Sequence, residues 1–179
     1  MAITPPSERL WWKEPIHKVE LIWVIVAFLW GVAMFFTMIW WHGFGQQNMS
    51  NEAYRVQPYQ FAEKVDAMVA AHTVRQEGAF PVVKPPPGSD VYLMGRVYMW
   101  WPMLELEKGQ SYRLHLSSID LQHGFSLQPL NINIQVHPGY ESVMTITPTT
   151  SGEFGIVCNE YCGLGHHTMT GRIYVVERS

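Results

Sequence analysis

A short segment near the C-terminus, CNEYCGLGHHTMTG at residues 158–171, concentrates side chains that bind metals. Its potential ligands are Cys158, Cys162, His166 and Met169, in a C-x3-C-x3-H-x2-M pattern. Thiolates, imidazoles and thioethers are soft or borderline ligands, which suit copper far better than magnesium or calcium. Zinc also binds cysteine and histidine but does not use a thioether. The pattern therefore favours copper.

The number of thiolates indicates which kind of copper site is possible. A mononuclear blue-copper site uses one cysteine, two histidines and a weak axial methionine. The segment has one thiolate too many and one imidazole too few for that site. Cys158 and Cys162 can instead bridge two copper ions, and each ion then needs one histidine. The second histidine must come from elsewhere, and His123, beside the flexible Gly124, is the best candidate.

The cysteines and histidines also have explanations that involve no metal. A disulfide between Cys158 and Cys162 is possible in an oxidising compartment, although the offsets of His166 and Met169 favour metal binding. The other histidines of the C-terminal half are predicted to have no role in metal binding. His115 would lie on the polar face of a strand, His137 in a solvated turn, and His167 would be exposed or form a hydrogen bond.

Composition restricts the function classes. The 179 residues include 12 basic and 15 acidic side chains, which give a formal net charge of −3. No basic cluster is present to neutralise a row of phosphates, so nucleic acid is excluded as the partner. The hydrophobic content of 47% excludes a disordered chain. A chain of this length holds one domain with a real core and an accessory segment.

Residues 21–41 form an uncharged run, LIWVIVAFLWGVAMFFTMIWW. As a helix this run would span about 31 Å, which matches the roughly 30 Å hydrocarbon layer of a membrane. Trp23, Trp40 and Trp41 lie near its ends, where aromatic rings favour the interface. A signal peptide has a shorter apolar region and a small-residue cleavage site, and a soluble core helix normally has a polar face. The run therefore predicts a permanent membrane span.

The flanking charges predict the orientation of that span. Arg9, Lys13 and Lys18 precede it, whereas Arg55 is the basic residue that follows within about 20 residues. The positive-inside rule places the N-terminus in the cytoplasm and everything after His42 outside. The C-terminal part becomes an exported domain tethered to the membrane.

The rest of the chain divides into a helix, a linker and a β-rich region. In residues 58–72, Phe61, Val65, Met68 and Val69 have the spacing of an amphipathic helix. A Pro-rich linker follows. Short strand-like runs then occur at residues 91–101, 104–107, 111–117, 131–136, 143–148, 154–158 and 170–176. They predict an antiparallel β-sandwich or barrel.

These features predict four segments: a cytoplasmic segment at 1–20, a transmembrane helix at 21–42, the helix and linker at 43–89, and the β domain at 90–179. At the metal-binding residues the sequence resembles subunit II of heme-copper oxidases, which carries the dinuclear copper A centre. The resemblance covers the membrane helix, the TVRQEG segment at residues 73–78, the Asp120-x-x-His123-Gly124-Phe125 motif and the Cys158 loop. The single span is similar to the B family of these oxidases, which implies a bacterial or archaeal cell membrane.

The resemblance implies a cupredoxin fold and a role for each ligand. Cys158 and Cys162 resemble the bridging thiolates, and His123 and His166 the terminal imidazoles. Met169 resembles the axial thioether of one copper. Glu160 occupies the position whose backbone carbonyl weakly binds the other copper, and in many relatives its carboxylate binds magnesium at the interface with the catalytic subunit.

The implied function is electron transfer, because every copper position is filled by protein and none is left for a substrate. Cytochrome c or another small redox protein would reduce copper A outside the membrane, and the electron would pass to heme in catalytic subunit I for oxygen reduction. The alternatives are the same role in a nitric oxide reductase, a copper-binding assembly or storage protein, and a larger copper enzyme.

Three residues outside the ligand set are candidates for further roles. Trp100 and Trp101 adjoin Pro102 at the end of a strand, and related subunits use an exposed aromatic near copper A for docking of the electron donor. The alternative is that both rings pack in the core. Glu20 abuts the uncharged run, and B-family oxidases have a similar glutamate at the start of a proton-uptake path. A solvated headgroup position is its alternative.

Overall fold

The structure, a computed structural model, describes residues 15–45, 52–130 and 132–178. The chain divides into two compact units, Met1–Gln47 and Asn48–Ser179. Arg9 and Lys13, which contribute to the predicted orientation, lie outside the described residues. Within the described part, the first unit contains one long helix, and the second contains the strands and a second helix.

The long helix, α1 (Lys18–Phe44), contains the predicted membrane span. It begins where the Glu20 carboxylate accepts the backbone N–H of His17 at 3.0 Å, an interaction that caps the helix. Its most apolar 18-residue window has a mean hydropathy of 2.4, and none of its residues is buried within the chain. The Thr37 hydroxyl donates to the Met34 carbonyl at 2.7 Å, so this polar group needs no water. The helix is long and apolar enough to cross a membrane.

The second unit contains two β-sheets. The five-stranded sheet has the order β1-β10-β7-β4-β5, with β1 at Glu52–Arg55, β4 at Asp90–Arg96, β5 at Met99–Trp101, β7 at Tyr112–Ser118 and β10 at Tyr140–Ile146. The seven-stranded sheet has the order β2-β3-β6-β12-β11-β8-β9, with β2 at Thr73–Glu77, β3 at Phe80–Val83, β6 at Met103–Glu107, β8 at His123–Gln128, β9 at Ile132–Val136, β11 at Gly152–Cys158 and β12 at Thr170–Val176.

The core contains apolar side chains from both sheets. Leu114 and Leu116 of β7 belong to the same buried cluster as Leu104 of β6, Phe125 of β8 and Ile156 of β11. The predicted β-sandwich is therefore confirmed. Most strand pairs are antiparallel, but β4 pairs with β7, β3 with β6 and β6 with β12 in parallel. Parallel pairs join strands that are distant in sequence, so local alternation does not reveal them.

The second helix, α2 (Pro58–His72), has the predicted bounds. It buries Phe61, Val65 and Met68, and the Phe61 ring lies 5.9 Å from the Tyr92 ring of β4 in an edge-to-face arrangement. The apolar stripe of α2 therefore packs on the five-stranded sheet. On its polar face, Lys64 forms a salt bridge with Glu141 of β10, with 3.1 Å between Nζ and the carboxylate oxygen.

Part of the predicted linker is instead regular structure. β2 and β3 form a hairpin around Gly78, whose φ of +63° favours glycine, and β3 continues the sheet by pairing with β6. The prediction failed here because each strand is short and β3 is stabilised by a partner far along the chain. The run at residues 91–101 is likewise divided, since a turn at Val97 and Tyr98 separates β4 from β5.

The alternating pattern predicts His115 on the polar face of a strand, and the structure buries this residue. Its side chain is within hydrogen-bonding distance of Glu141 through Nδ1 and lies 3.1 Å from Asp90 through Nε2. Lys64 of α2 contacts the same Glu141, so the helix covers this face of the sheet. His115 is therefore buried, although it lies on the polar face of its strand. The reason is that α2 packs over this face of the five-stranded sheet.

Candidate metal centre

Two neighbouring strands bring the first ligand residues together. β8 begins at His123, β11 ends at Cys158, and the strands pair antiparallel with Cys158 opposite Phe125. Gly124 permits a close approach between them, because a Cβ there would lie 2.8 Å from the backbone nitrogen of Glu160. A side chain at position 124 would displace the segment that follows Cys158.

The segment between β11 and β12 is closed by its own hydrogen bonds. The N–H of Cys158 donates to the carbonyl of Met169 at 3.1 Å, which joins the two ends of the loop. Within it, a short 3-10 turn at His166–Thr168 carries the second histidine. The N–H of His166 donates to the carbonyl of Gly163 at 3.1 Å. The loop that carries the C-x3-C-x3-H-x2-M residues is thus fixed at its base and at its turn.

The sulfur and nitrogen atoms have a paired arrangement. The Sγ atoms of Cys158 and Cys162 are 3.8 Å apart. Nδ1 of His123 lies 4.0 Å from Sγ of Cys158, and Nδ1 of His166 lies 3.7 Å from Sγ of Cys162. Each thiol therefore has one imidazole beside it, and the two thiols lie between the two histidines.

A weaker ligand accompanies each thiol. Sδ of Met169 lies 3.8 Å from Sγ of Cys162, and the thiol of Cys158 donates to the Glu160 carbonyl at 3.2 Å. Met169 is 1% exposed, so its thioether is held away from water. The carboxylate of Glu160 points elsewhere and accepts the Gln135 amide at 3.1 Å. The structure places all six predicted ligand residues at one end of the seven-stranded sheet.

The two cysteines are buried free thiols rather than a disulfide. Burial, assisted by the neighbouring Cys158, raises the pKa of Cys162 to about 11. The thiol is therefore neutral at physiological pH in the absence of a metal, and metal binding must displace its proton. Within the described residues, ligand atoms of His123, Cys158 and Cys162 lie within 4.8 Å of one another, close enough for one metal ion.

Asp120 orients His123. One carboxylate oxygen lies 2.9 Å from Nε2 of the imidazole, and the other accepts the N–H of Val97 at 2.7 Å. Burial opposes the charge on Asp120, but the N–H groups of Val97 and Leu121 and the His123 ring outweigh it and lower its pKa. The charged carboxylate holds Nε2, so Nδ1 is directed at the thiols, which is the arrangement that metal-ligating histidines use.

The donor set fits a soft metal. Two thiols, two imidazoles and a thioether converge, and the protein buries all of them except the partly exposed imidazole of His166. Hard cations such as magnesium require several oxygen ligands, which the centre of this group does not offer. Copper accepts this combination of ligands, and the thioether distinguishes it from a structural zinc site.

The two tryptophans have different environments. Trp100 is completely buried, and its ring meets His123 edge to face with centroids 6.1 Å apart. Trp101 is half-buried, and the Arg96 guanidinium lies 5.0 Å from its ring centroid. A donor docked on the surface can therefore reach Trp101 but not Trp100, although Trp100 contacts a predicted ligand.

The remaining candidate residues have surroundings of their own. Glu20 is exposed at the start of α1 and accepts the His17 N–H. His167 is exposed, although it directly follows the predicted ligand His166, and His137 is half-exposed beside Pro138.

Sequence reasoning missed residues that pack against the ligands. A Cβ at Gly95 of β4 would lie 3.1 Å from Cδ2 of His123. A glycine in the middle of a strand is a signal of close approach, so it could have been noticed. Tyr98 has no comparable signal, because its importance arises from a turn whose neighbour, the 158–169 loop, is distant in sequence.

The comparisons with known proteins identify the family. No family model matches the sequence. Cytochrome c oxidase subunit 2 of Thermus thermophilus is 39% identical over 112 residues, which cover 59% of this chain and 83% of that protein. The chain belongs to the cytochrome c oxidase subunit 2 family. A probable cytochrome c oxidase subunit 2 of Streptomyces coelicolor is 36% identical over 75 residues, which cover 42% of this chain and 24% of that protein.

A solved structure supports the fold. A chain in the cryo-EM structure of a heme-copper terminal oxidase dimer has a TM-score of 0.59 and 20% identity, covering 89% of this chain and all of that chain. The predicted cupredoxin-like sandwich with an N-terminal apolar helix is confirmed. As a cytochrome c oxidase subunit 2 homologue, the chain is part of an oxidoreductase complex with a catalytic subunit, and α1 is consistent with membrane anchoring.

Proposed function

We propose that this subunit 2 homologue accepts electrons at a dinuclear copper A centre and passes them to heme in the catalytic subunit of an oxygen-reducing oxidase. One observation carries the proposal. Two buried thiols lie 3.8 Å apart, and each has one histidine Nδ1 beside it, at 4.0 and 3.7 Å. When bound, a copper pair supplies reversible uptake and release of one electron.

The chain's own residues give the site its properties. Cys158 and Cys162 would bridge the metals, and His123 and His166 would complete the strong ligands. Met169 and the Glu160 carbonyl would be the weak ligands. Because the loop is closed by the Cys158–Met169 backbone hydrogen bond, the ligands need not rearrange when the charge of the site changes.

The surface beside the ligands supports docking of an electron donor. Tyr161 and Leu164 are 78% and 89% exposed, and both lie in the loop that carries Cys162 and His166. Apolar groups this exposed on a fixed loop are typical of an interaction site. We infer that cytochrome c or a similar small redox protein docks here, and half-buried Trp101 is a second candidate for contact with the donor.

The membrane arrangement is part of the same proposal. We infer that α1 spans a bacterial or archaeal cell membrane once, as in B-family oxidases, with Glu20 on the cytoplasmic side and the copper domain outside. The proposed cytoplasmic segment is 1–20 and the proposed span is 21–42, while residues 43–89 lead to the β domain at 90–179 and contribute β1, β2 and β3 to its sheets. A magnesium ion at the Glu160 carboxylate would need most of its oxygen ligands from the catalytic subunit, because that carboxylate already accepts the Gln135 amide.

Metal analysis of the full chain tests the copper site. The detergent-solubilised protein, reconstituted with copper, should bind two coppers per chain, and its electron paramagnetic resonance spectrum should show one electron shared by two copper nuclei. Cys158→Ser and Cys162→Ser should each abolish that spectrum, because the proposed centre would be held by both thiolates. His167→Ala, at an exposed neighbouring residue, serves as the control and should leave it unchanged. One copper per chain, or a stable zinc site, would contradict the proposal.

A further inference from the structure

We propose that Tyr98 is a positioning residue for the metal centre, and that the β4–β5 hairpin which carries it fixes the separation of His123 and His166. The inference rests on the proposed function, in which both histidines bind copper. Tyr98 lies in the turn between β4 and β5, where Arg96 pairs with Met99. Its half-buried ring packs against the buried cluster that includes Cys162 and Met169.

The Tyr98 ring fills the space beneath two glycines of the metal-binding loop. A Cβ at Gly163 would lie 2.7 Å from the Tyr98 hydroxyl oxygen, and a Cβ at Gly165 would lie 2.6 Å from Cγ and Cε2 of the ring. Gly163 also has a φ of +123°, which favours glycine independently of the ring. Gly165 lacks that constraint, so contact with Tyr98 is the reason for a glycine there.

This contact lies directly under the turn that carries His166. The N–H of His166 donates to the carbonyl of Gly163 at 3.1 Å, and the N–H of Thr168 donates to the carbonyl of Gly165 at 3.0 Å. Both acceptors therefore belong to the residues that rest on the ring. The position of the Tyr98 ring therefore determines where the His166–Thr168 turn lies, and that turn determines the position of the His166 imidazole.

The same hairpin also holds the other histidine. The N–H of Val97 donates to Asp120 at 2.7 Å, and Asp120 lies 2.9 Å from Nε2 of His123. Gly95, on the preceding strand, approaches the His123 ring closely. Consecutive residues, Val97 and Tyr98, thus contact the supports of the two histidines. Because β4 of the hairpin is paired with β7, both supports are attached to the same sheet.

A local cleft makes the proposal testable without unfolding the protein. A cleft of about 370 Å³ adjoins Tyr98 and is lined in part by Met103, Thr168 and Thr170. A methyl group added at Gly165 can displace the Tyr98 ring into this space. We therefore expect Gly165→Ala to fold, with the ring moved from beneath the loop.

The first measurement uses the metal-free full chain in detergent. Tyr98→Ala and Gly165→Ala should each raise amide hydrogen exchange at His166 and Thr168 by about tenfold, while amides of β7 and β10 remain unchanged. The double variant should exchange no faster than Tyr98→Ala alone, because both changes remove the same contact. Gly155→Ala is the matched control, since a Cβ there has open space around it, and it should have no effect.

The second measurement is the rate at which the copper-loaded chain loses copper to a chelator. Tyr98→Ala and Gly165→Ala should each accelerate loss by about tenfold, again without additivity, and Tyr98→Phe should restore most of the wild-type rate. Effects that multiply in the double variant, or exchange that rises equally in all strands, would overturn the proposal in favour of ordinary core packing. If the wild-type chain bound no copper, the proposed function would fail, yet the metal-free exchange experiment would still decide the role of Tyr98.

Discussion

The two nitrogens of His123 have separate tasks. Nε2 is held by Asp120 at 2.9 Å, while Nδ1 lies 4.0 Å from the thiol of Cys158. The ring is completely buried, and Gly95 and Trp100 pack against it. Rotation of the imidazole would therefore cost both packing and a charge-assisted hydrogen bond. His123 enters the centre from another strand, and its contacts with Asp120, Gly95 and Trp100 replace the rigidity that the loop gives to His166.

Removing the charge of Asp120 should weaken metal binding through His123. Asp120→Asn keeps an oxygen for the N–H of Val97 but loses the charged partner of Nε2. We expect copper affinity to fall about 10- to 100-fold, as for other partners of metal-ligating histidines. Competition with a chelator measures the change. Asp66→Asn, at an exposed site on α2, is the matched control, and equal affinities for both variants would refute the assignment.

Met169 should tune the site rather than hold it together. Its Sδ lies 3.8 Å from Sγ of Cys162, and the side chain is buried. Met169→Leu preserves the volume, so the loop should stay packed, and it removes only a weakly bound axial ligand. We expect two coppers per chain as in the wild type, with a changed reduction potential measured by redox titration. Loss of half or more of the copper would show that the thioether is an essential ligand.

At the scale of elements, the sequence predicts those features that local pattern controls. The uncharged run of α1 and the stripe of Phe61, Val65 and Met68 on α2 specify helices without any partner. The 158–169 loop stands out in the sequence for the same reason, because its four candidate ligands lie in one short segment. Sequence-distant pairing is different, since β3 is identified by its parallel neighbour β6 and is too short to stand out alone.

The site follows the same division. The candidate ligands are predicted from their chemistry, whereas the residues that orient them come from distant segments. His115 shows why, because its alternating position indicates an exposed residue until α2 is placed over the sheet. Tyr98 is an ordinary turn residue until the 158–169 loop lies on its ring. Such roles depend on the juxtaposition of elements, which a single sequence does not encode in any local pattern.

The packing of α2 on the five-stranded sheet should contribute strongly to stability. Phe61 is completely buried and meets the Tyr92 ring, so Phe61→Ala should lower the free energy of unfolding by about 3–5 kcal/mol. Urea unfolding of the full chain in detergent, followed by tryptophan fluorescence, measures the change. Tyr59→Ala, on the same helix but 63% exposed, should change stability by less than about 0.5 kcal/mol. Similar losses for both variants would mean that α2 does not dock as described.

At the scale of the whole molecule, the proposed topology assigns the two ends of α1 to different tasks. In that topology, copper binding and electron acceptance would belong to the exported domain, and Glu20 would belong to the cytoplasmic end. The carboxylate of Glu20 accepts the His17 N–H at 3.0 Å, which is sufficient to explain it as a helix cap. An acidic residue beside the uncharged run can also collect protons for a catalytic subunit. A substitution at Glu20 that keeps the capping hydrogen bond but removes the acid distinguishes helix capping from proton uptake.

Glu20→Gln is the decisive variant in the assembled oxidase. Glutamine can accept the same capping hydrogen bond but cannot carry a proton, whereas Glu20→Asp keeps the acid and Glu20→Ala removes both. If Glu20 serves proton uptake, the Gln and Ala variants should lose steady-state turnover by at least about tenfold, on the scale of a general acid–base group, and Asp should restore part of it. Copper content and the first electron's transfer from the donor should not change, since those events occur in the exported domain. Turnover equal to wild type in Glu20→Gln, together with reduced assembly in Glu20→Ala alone, would assign Glu20 to capping and leave proton uptake to the catalytic subunit.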